Sequence, residues 1–358
     1  MTSIFAHPWL SGLFGDDEMA ELWSADAQMR HMLAFEAAWT RALGRVRRVD
    51  PEVAETTARA ILAAAPDIAA LRDGTARDGV PVPALVDWLR RDAPFPAAIH
   101  TGSTSQDVLD TALALTLQAT SNLLETRLRA LSASLSGLVE RFGEDRLMGR
   151  TRMQAAQPIT VADRLRSWSI PLEDHLARLS RLRSSVERVQ IGGAVGDRSA
   201  LGADAGAIAA RVADELRLAA GPGSWHAMRD GLAEYAGCLS LISGTLGKTG
   251  ADICLMAQQG VDEIVLTSGG GSSAMPHKHN PVLAELLVTL ARFNAVQVSA
   301  MHQALIHEQE RSGAAWALEW MVLPQMAHAT GRSLSAADAL CRSVDRIGHP
   351  ASDPPRAT

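Results

Sequence analysis

The chain is expected to be all-α, a bundle of long helices preceded by a smaller helical region. Three observations predict this. Strand signals are sparse, residues 263–267 forming one of the few short β-like runs. Apolar residues recur at steps of three and four along most of the 358 residues, the spacing of one helix face. Proline, which breaks helices, is missing from long stretches, with none between Pro96 and Pro158.

Residues 1–107 read as shorter helices, interrupted by Pro51, Pro66 and the loops "GVPVPALV" and "DAPFPAAIH". A boundary near Asp107 gives an N-terminal helical domain over 1–107, a long-helix domain over 108–345 and a flexible tail over 346–358. The first rod runs from 108 to 142, with Leu131, Leu135, Leu138 and Phe142 in step, a length of roughly 50 Å at 1.5 Å per residue. A second, over 161–189, carries Leu172, Leu176, Leu179, Leu182, Val186 and Val189, with Pro171 as its expected kink. A third covers 228–259. A fourth starts at Pro281 and carries Leu283, Leu287, Leu290, Val298, Met301 and Leu305; a fifth spans 313–341 around Pro324. Narrow stripes on such long rods imply an elongated bundle that completes its core with other subunits. From residue 347 onward three prolines and little apolar material suggest a loose tail.

Composition narrows the function classes. Apolar residues at 47% and charged residues at 21% are those of a soluble globular chain. A formal charge of −6 argues against general nucleic-acid binding. No run approaches the roughly 18 consecutive apolar residues of a membrane span. The N-terminal "MTSIFAHPWLSGLFGDDE" lacks the basic and apolar regions of a secretory signal. Cys238, Cys254 and Cys341 are too few and too scattered for a disulfide framework or metal cluster, which fits a reducing cytoplasm.

Four polar segments interrupt the helices. "IHTGSTSQDVLDT" (99–111) holds more hydroxyls and amides than one helix cap needs, with Ser105 or Asp107 as the expected cap. Helix N-termini attract anions, so a ligand site competes with a simple turn there. "GRTRMQAAQPIT" (149–160) reads as a loop in which Arg150 and Arg152 flank Thr151, with Gln154 nearby; forked arginines grip carboxylates, although exposed ones are often only solvated. "QIGGAVGDRSALG" lacks the order of a dinucleotide loop, and its glycines are expected to end a helix and make a tight turn. In "GGGSSAMPHKHNP" (269–281) no glycine directly precedes Lys278, which excludes a phosphate-binding loop. His277 and His279 lack the further ligands a metal would need. "HEQER" departs from the zinc-protease pattern because Arg311 replaces its second histidine. Asn280 as N-cap and Pro281 as first helical residue would set Lys278 at a helix's positive end. A serine and a lysine beside such an end, on a glycine-rich loop, point to catalysis.

"GSSAMPHKHNP" resembles the signature loop of the fumarase/aspartase superfamily, whose members add or eliminate groups across a C–C bond next to a carboxylate. "HTGSTSQDVLDT" and "GRTRMQAAQP" resemble its other two active-site segments, in the same chain order. "HPWLSGLFGDDEMAELWS", "QIGGAVGDR" and "ERSGAAWALEW" carry a narrower likeness, to the cycloisomerase branch. The resemblance covers roughly residues 5–340. It implies a mostly helical protomer, a homotetramer with a shared central bundle, and active sites drawing on three subunits. It also implies that Ser272 transfers the proton and that Lys278 and Asn280 bind substrate. His100, Thr104, Ser105 and Gln106 would line the pocket from the first segment, Thr151 and Gln154 from the second, and Arg311 from the cycloisomerase-like stretch. No metal or organic cofactor is implied.

Two departures stand out. Arg152 replaces a histidine that serves many superfamily lyases as leaving-group acid, and the chain ends near where relatives begin a small C-terminal domain, so that domain is expected to be truncated. An amine or imidazole leaving group wants an acid. A carboxylate leaves as the anion, and an arginine that binds it is more useful. Arg152 therefore favours a cycloisomerase acting on a small tricarboxylate. An adenylosuccinate lyase-like enzyme and a non-catalytic helical scaffold remain the alternatives.

Overall fold

The structure, a computed structural model, describes residues 3–267, 269–271, 275 and 278–349. Six helices come first: α1 (Ser11–Phe14), α2 (Asp17–Leu22), α3 (Ala25–Arg45), α4 (Pro51–Leu62), α5 (Ile68–Asp78) and α6 (Val82–Arg91). The long α7 (Ser105–Phe142) follows, then strands β1 (Arg146–Thr151) and β2 (Gln154–Thr160). After them come α8 (Val161–Val186), α9 (Ala205–Leu216), α10 (Asp230–Met256), β3 (Ile264–Leu266), α11 (Val282–Gln303), α12 (Gly313–Arg342) and β4 (Val344–Ile347).

The five long helices run alternately up and down. If the start of α7 is the head and its end the foot, α8 begins at the foot, where Ala162 donates its N–H to the Gly143 carbonyl at 3.1 Å. Gly231 lies against Ser185, so α10 begins at the head, and Gly250 lies against Ala284, so α11 begins at the foot. The indole of Trp316 donates to Asp110 at 3.1 Å, which brings the start of α12 back to the head.

Two hydrophobic clusters hold this arrangement. One joins α7 from Leu117 to Leu138 with α8, α10, α11 and α12. The other joins α3, α4 and α6 to Val108, Ala112 and Ala114 of α7, and to Val189, Ile191 and α9. The leucine stripe read along the first rod is the buried one, Leu128, Leu131, Leu135 and Leu138 each being at most 3% exposed. Fully burying one such side chain contributes about 1.5–3 kcal/mol, so the spacing of these leucines alone fixes which face of α7 turns inward. Polar residues in the bundle pair with one another. Asn294 donates to Thr330 Oγ1 at 2.9 Å and Ser243 Oγ at 3.0 Å, joining three helices at one level.

Several expectations are corrected. The segment read as a loop over 149–160 is an antiparallel hairpin, β1 on β2, with Thr151 opposite Gln154. Thr104, not Ser105 or Asp107, is the N-cap of α7; Asp107 lies at the third helical position, where its carboxylate accepts the Thr104 N–H at 3.1 Å. The cap of α11 is Pro281 rather than Asn280, because Pro281 has a non-helical ψ of 61°, and the helix starts at Val282. α8 ends at Val186, before "QIGGAVGDR", so these glycines do not end the helix; the segment turns over 194–197, with positive φ at Gly193 and Gly196. The last residues also differ. Ile347 is fully buried in β4, which pairs with β3, and the backbones of His349 and Arg146 exchange hydrogen bonds of 2.8 and 3.0 Å. Structure therefore continues to residue 349; the remainder of the expected tail lies outside the described residues.

Candidate active site

The polar segments divide between the two ends of the bundle. At the head, the 99–111 segment leads into α7. His100 stands in the left-handed region, φ 60°, and its carbonyl accepts the Ser103 N–H at 3.3 Å. The turn brings His100 close in sequence and space to Thr104 and Ser105, both half-buried at the helix N-terminus. Arg311, from the loop before α12, donates through Nη2 to Thr104 Oγ1 and to the Ala194 carbonyl, both at 3.2 Å. The head thus gathers a histidine, two hydroxyls, an arginine and a helix N-terminus, a set suited to an anion.

Gln106 differs from its expected role. It is fully buried, donating to Asp110 Oδ2 at 3.1 Å and to the His226 carbonyl at 3.0 Å, so it braces the start of α7 from behind. Asp107, also fully buried, does more. Its Oδ1 accepts from the Gly192 N–H at 2.8 Å and from His226 Nε2 at 3.0 Å; its Oδ2 accepts from the Gly193 N–H at 3.0 Å. One carboxylate thereby fastens "QIGG" to the first segment. Behind it, Arg229 makes forked bonds to Asp110, at 2.6 and 3.0 Å, and to Glu319, at 2.8 and 2.5 Å. Burial alone would raise the Glu319 carboxyl, but the bonds and charge of Arg229 and His307 hold it below the usual range. The Arg229 guanidinium is pushed down by burial yet ends raised, because Asp110 and Glu319 flank it. Arg229 is thus paired on both sides by buried carboxylates.

At the foot, Thr151 and Gln154 close the hairpin as a cross-strand pair, with Arg152 and Met153 as its two-residue tip. All four are exposed. Both tip residues have positive φ, 49° and 67°, as in a type I′ turn. Arg150 donates to Glu263 Oε1 at 3.2 Å, fixing the hairpin to the segment before β3. The signature loop leaves β3 nearby. Gly270 and Asn280 exchange two backbone bonds of 2.9 Å, pinching the loop at its neck. A Cβ on Gly270 would come within 2.5 Å of Val282 Cγ2, so a larger residue there would have to displace that side chain. Lys278 is exposed and Asn280 half-buried at that neck. Ser272 and His277 lie outside the described residues.

The structure therefore joins Arg311 to Thr104 at the head, beside His100 and Ser105 in the same segment, and puts both the hairpin tip (Thr151, Arg152, Gln154) and the loop neck (Lys278, Asn280) at the other end. The two groups are held apart by α7, about 55 Å long at 1.5 Å per residue. The residues missed in the sequence are Glu36, Asp110, His226, Arg229 and Glu319. Their sequence signal was weak: Glu36 and Glu319 are lone polar residues in apolar runs, and the partners lie far along the chain, 64 positions apart for Glu36–His100 and 120 for Gln106–His226.

The fold is thus an up-and-down, mostly helical bundle with polar segments gathered at its two ends. A family profile described as Lyase matches residues 14–297. The chain belongs to this family, within the fumarase/aspartase superfamily. It is 35% identical over 353 residues to a 3-carboxy-cis,cis-muconate cycloisomerase of Pseudomonas aeruginosa, a match covering 96% of this chain and 77% of that protein. It is 31% identical over 317 residues to an N-acetyl-S-(2-succino)cysteine lyase of Enterococcus italicus, covering 87% of this chain and 70% of that one. The crystal structure of the 3-carboxy-cis,cis-muconate lactonizing enzyme from Pseudomonas putida superimposes with a TM-score of 0.88 at 33% identity, over 94% of this chain and 77% of that structure.

Proposed function

We propose that the chain is an intramolecular lyase that interconverts 3-carboxy-cis,cis-muconate and its carboxymuconolactone, a step of aromatic-compound breakdown by the β-ketoadipate route. The observation that carries this reading is the likeness to cycloisomerases along nearly the whole chain. Arg152 supports it against the lyase relatives, because a carboxylate leaving group needs a cation rather than an acid.

In the lactonising direction a substrate carboxylate oxygen attacks the double bond, forming the C–O bond. The displaced electron pair moves into the conjugated carboxylate, giving an aci-carboxylate. Lys278, Arg152 and loop N–H groups stabilise that charge. Ser272 gives its proton to carbon and is reprotonated from water, so the lactone is an isomer of the free acid: the proton taken up at carbon replaces the one the attacking carboxyl had lost to solvent. In reverse, Ser272 as its alkoxide takes the proton back, and Lys278 is the cation assigned to favour that form. His100, Thr104, Ser105 and Arg311 bind a further carboxylate.

The separation of the two groups supports a shared site, in which the head of one copy meets the foot of others in a homotetramer. The free thiols Cys238, Cys254 and Cys341 support a cytoplasmic setting. The test is ultraviolet spectroscopy of 3-carboxymuconate with purified protein. Loss of the conjugated-diene band, with the lactone identified as product, is expected; an unchanged spectrum overturns the reading. Because the charges come from side chains, exhaustive chelation is expected to leave turnover intact, and loss of activity restored by a divalent ion would refute that.

A further inference from the structure

A carboxylate lies beneath His100 that the reaction scheme does not use. Glu36 sits in the middle of α3 between Phe35 and Ala37, and is fully buried. Its Oε1 accepts from His100 Nδ1 at 2.6 Å, while its Oε2 has no hydrogen-bond partner among the described residues. Burying a carboxylate with one oxygen unmatched is costly, and so is the left-handed backbone of His100. Two unfavourable arrangements meet at one contact.

The flanking residues are pinned as well. Arg90 Nη2 donates to the Ile99 carbonyl at 2.8 Å, and Trp39 Nε1 to the Thr101 carbonyl at 3.1 Å. Three consecutive residues are thus each held by a side chain of α3 or α6. Because a carboxylate only accepts, the His100 Nδ1 must carry a proton. That leaves Nε2, on a ring side chain 15% exposed, with no protein partner among the described residues.

We infer that Glu36 is the positioning residue of the head: it orients His100 through Nδ1 and balances the charge of an imidazolium whose Nε2–H meets a substrate carboxylate. A neutral ring with Nδ1 protonated would aim a lone pair at that carboxylate. The anion–cation–anion stack built on Glu36 removes the conflict. This inference rests on the proposed reading for its ligand, but not for the dyad itself.

The test combines two readouts. In ligand-free protein with 15N-labelled histidine, His100 shows a protonated Nδ1, and Glu36→Leu abolishes that signature. Failure here overturns the dyad whatever the substrate. In kinetics with 3-carboxymuconate, Glu36→Gln keeps shape but loses charge, so KM rises roughly tenfold or more with kcat changed far less, as expected when a bond to a charged group is lost from ground and transition states alike. Glu36→Asp recovers part of the loss. In a His100→Gln background, Glu36→Gln has no further effect on KM. An unchanged KM, or an equal loss in that background, overturns the inference. If wild-type protein does not turn over this compound, the functional reading fails and the labelled-histidine result stands alone.

Discussion

His175 lies inside the bundle, its Nε2–H donating to Thr245 Oγ1 at 2.8 Å and its Nδ1 accepting from Arg178 at 3.0 Å. Burial, with Arg178 adding to it and Asp174 opposing, pushes its pKa down to about 4 from an ordinary 6.5. The folded state therefore binds the proton less well than the unfolded chain. The stabilisation is fully present above about pH 6.5 and is lost as pH falls from there toward 4. Between pH 7 and pH 5 this one group costs about 2 kcal/mol per chain. His175→Gln, which keeps a donor for Thr245, is expected to flatten the decline in urea midpoint over that interval; an unchanged slope would show that protonation lies elsewhere. Arg152 offers a second single-residue test. If it binds the migrating carboxylate, Arg152→Met lowers kcat/KM by about 1.5–3 kcal/mol in transition-state terms. A solvated arginine would give less than about 0.5 kcal/mol, a difference that steady-state assays resolve.

The hairpin shows most plainly what an element can hide. Its strands are mostly exposed, so they lack the alternation of apolar and polar residues that marks a half-buried strand. Its tip also lacks the Asn-Gly or Asp-Gly pair that announces a type I′ turn. Arg152 and Met153 hold positive φ there without glycine's freedom, at about 1 kcal/mol or more each. Strain kept in such a place suits a tip retained for its side chains. Met153→Gly is expected to hold or raise the melting temperature, whereas Met153→Ile, β-branched at φ 67°, lowers it; equal melting temperatures would mean the tip is relaxed. The long helices were legible because their leucine stripes are buried on one face within a single chain. The polar segments were legible because hydroxyls and glycines stand out among helix formers. Their buried supports were not: Glu36, Asp110 and Glu319 look like ordinary helix carboxylates until the fold sets an arginine or histidine against them.

Across the whole molecule, apolar surface remains uncovered. α11 is, among the described residues, the one helix apolar and long enough for a membrane span by composition, and only 28% of its apolar window is buried. Val296 on α11 is 72% exposed, and Leu241 on the adjacent α10 and Ile170 on α8 exceed half exposure. Glu285 and Arg292 on α11, and its packing between α10 and α12, fit a helix covered by other copies better than one covered by lipid. Such a shared core would also bring heads to feet, which separates two architectures experimentally. Arg311→Met disables a head and Lys278→Met disables a foot, so each variant alone should be nearly inactive. If the copies assemble as the proposed tetramer, the two kinds of chain mixed during refolding distribute among the assemblies. A site is intact when its head comes from the Lys278 variant and its foot loop from the Arg311 variant. Each condition holds in half the positions, so about a quarter of wild-type activity is expected from a one-to-one mixture. A site contained within one chain would recover nothing, because every chain carries a lesion. Activity of the mixture, measured against each variant refolded alone and with light scattering to confirm assembly, therefore tests the shared site directly.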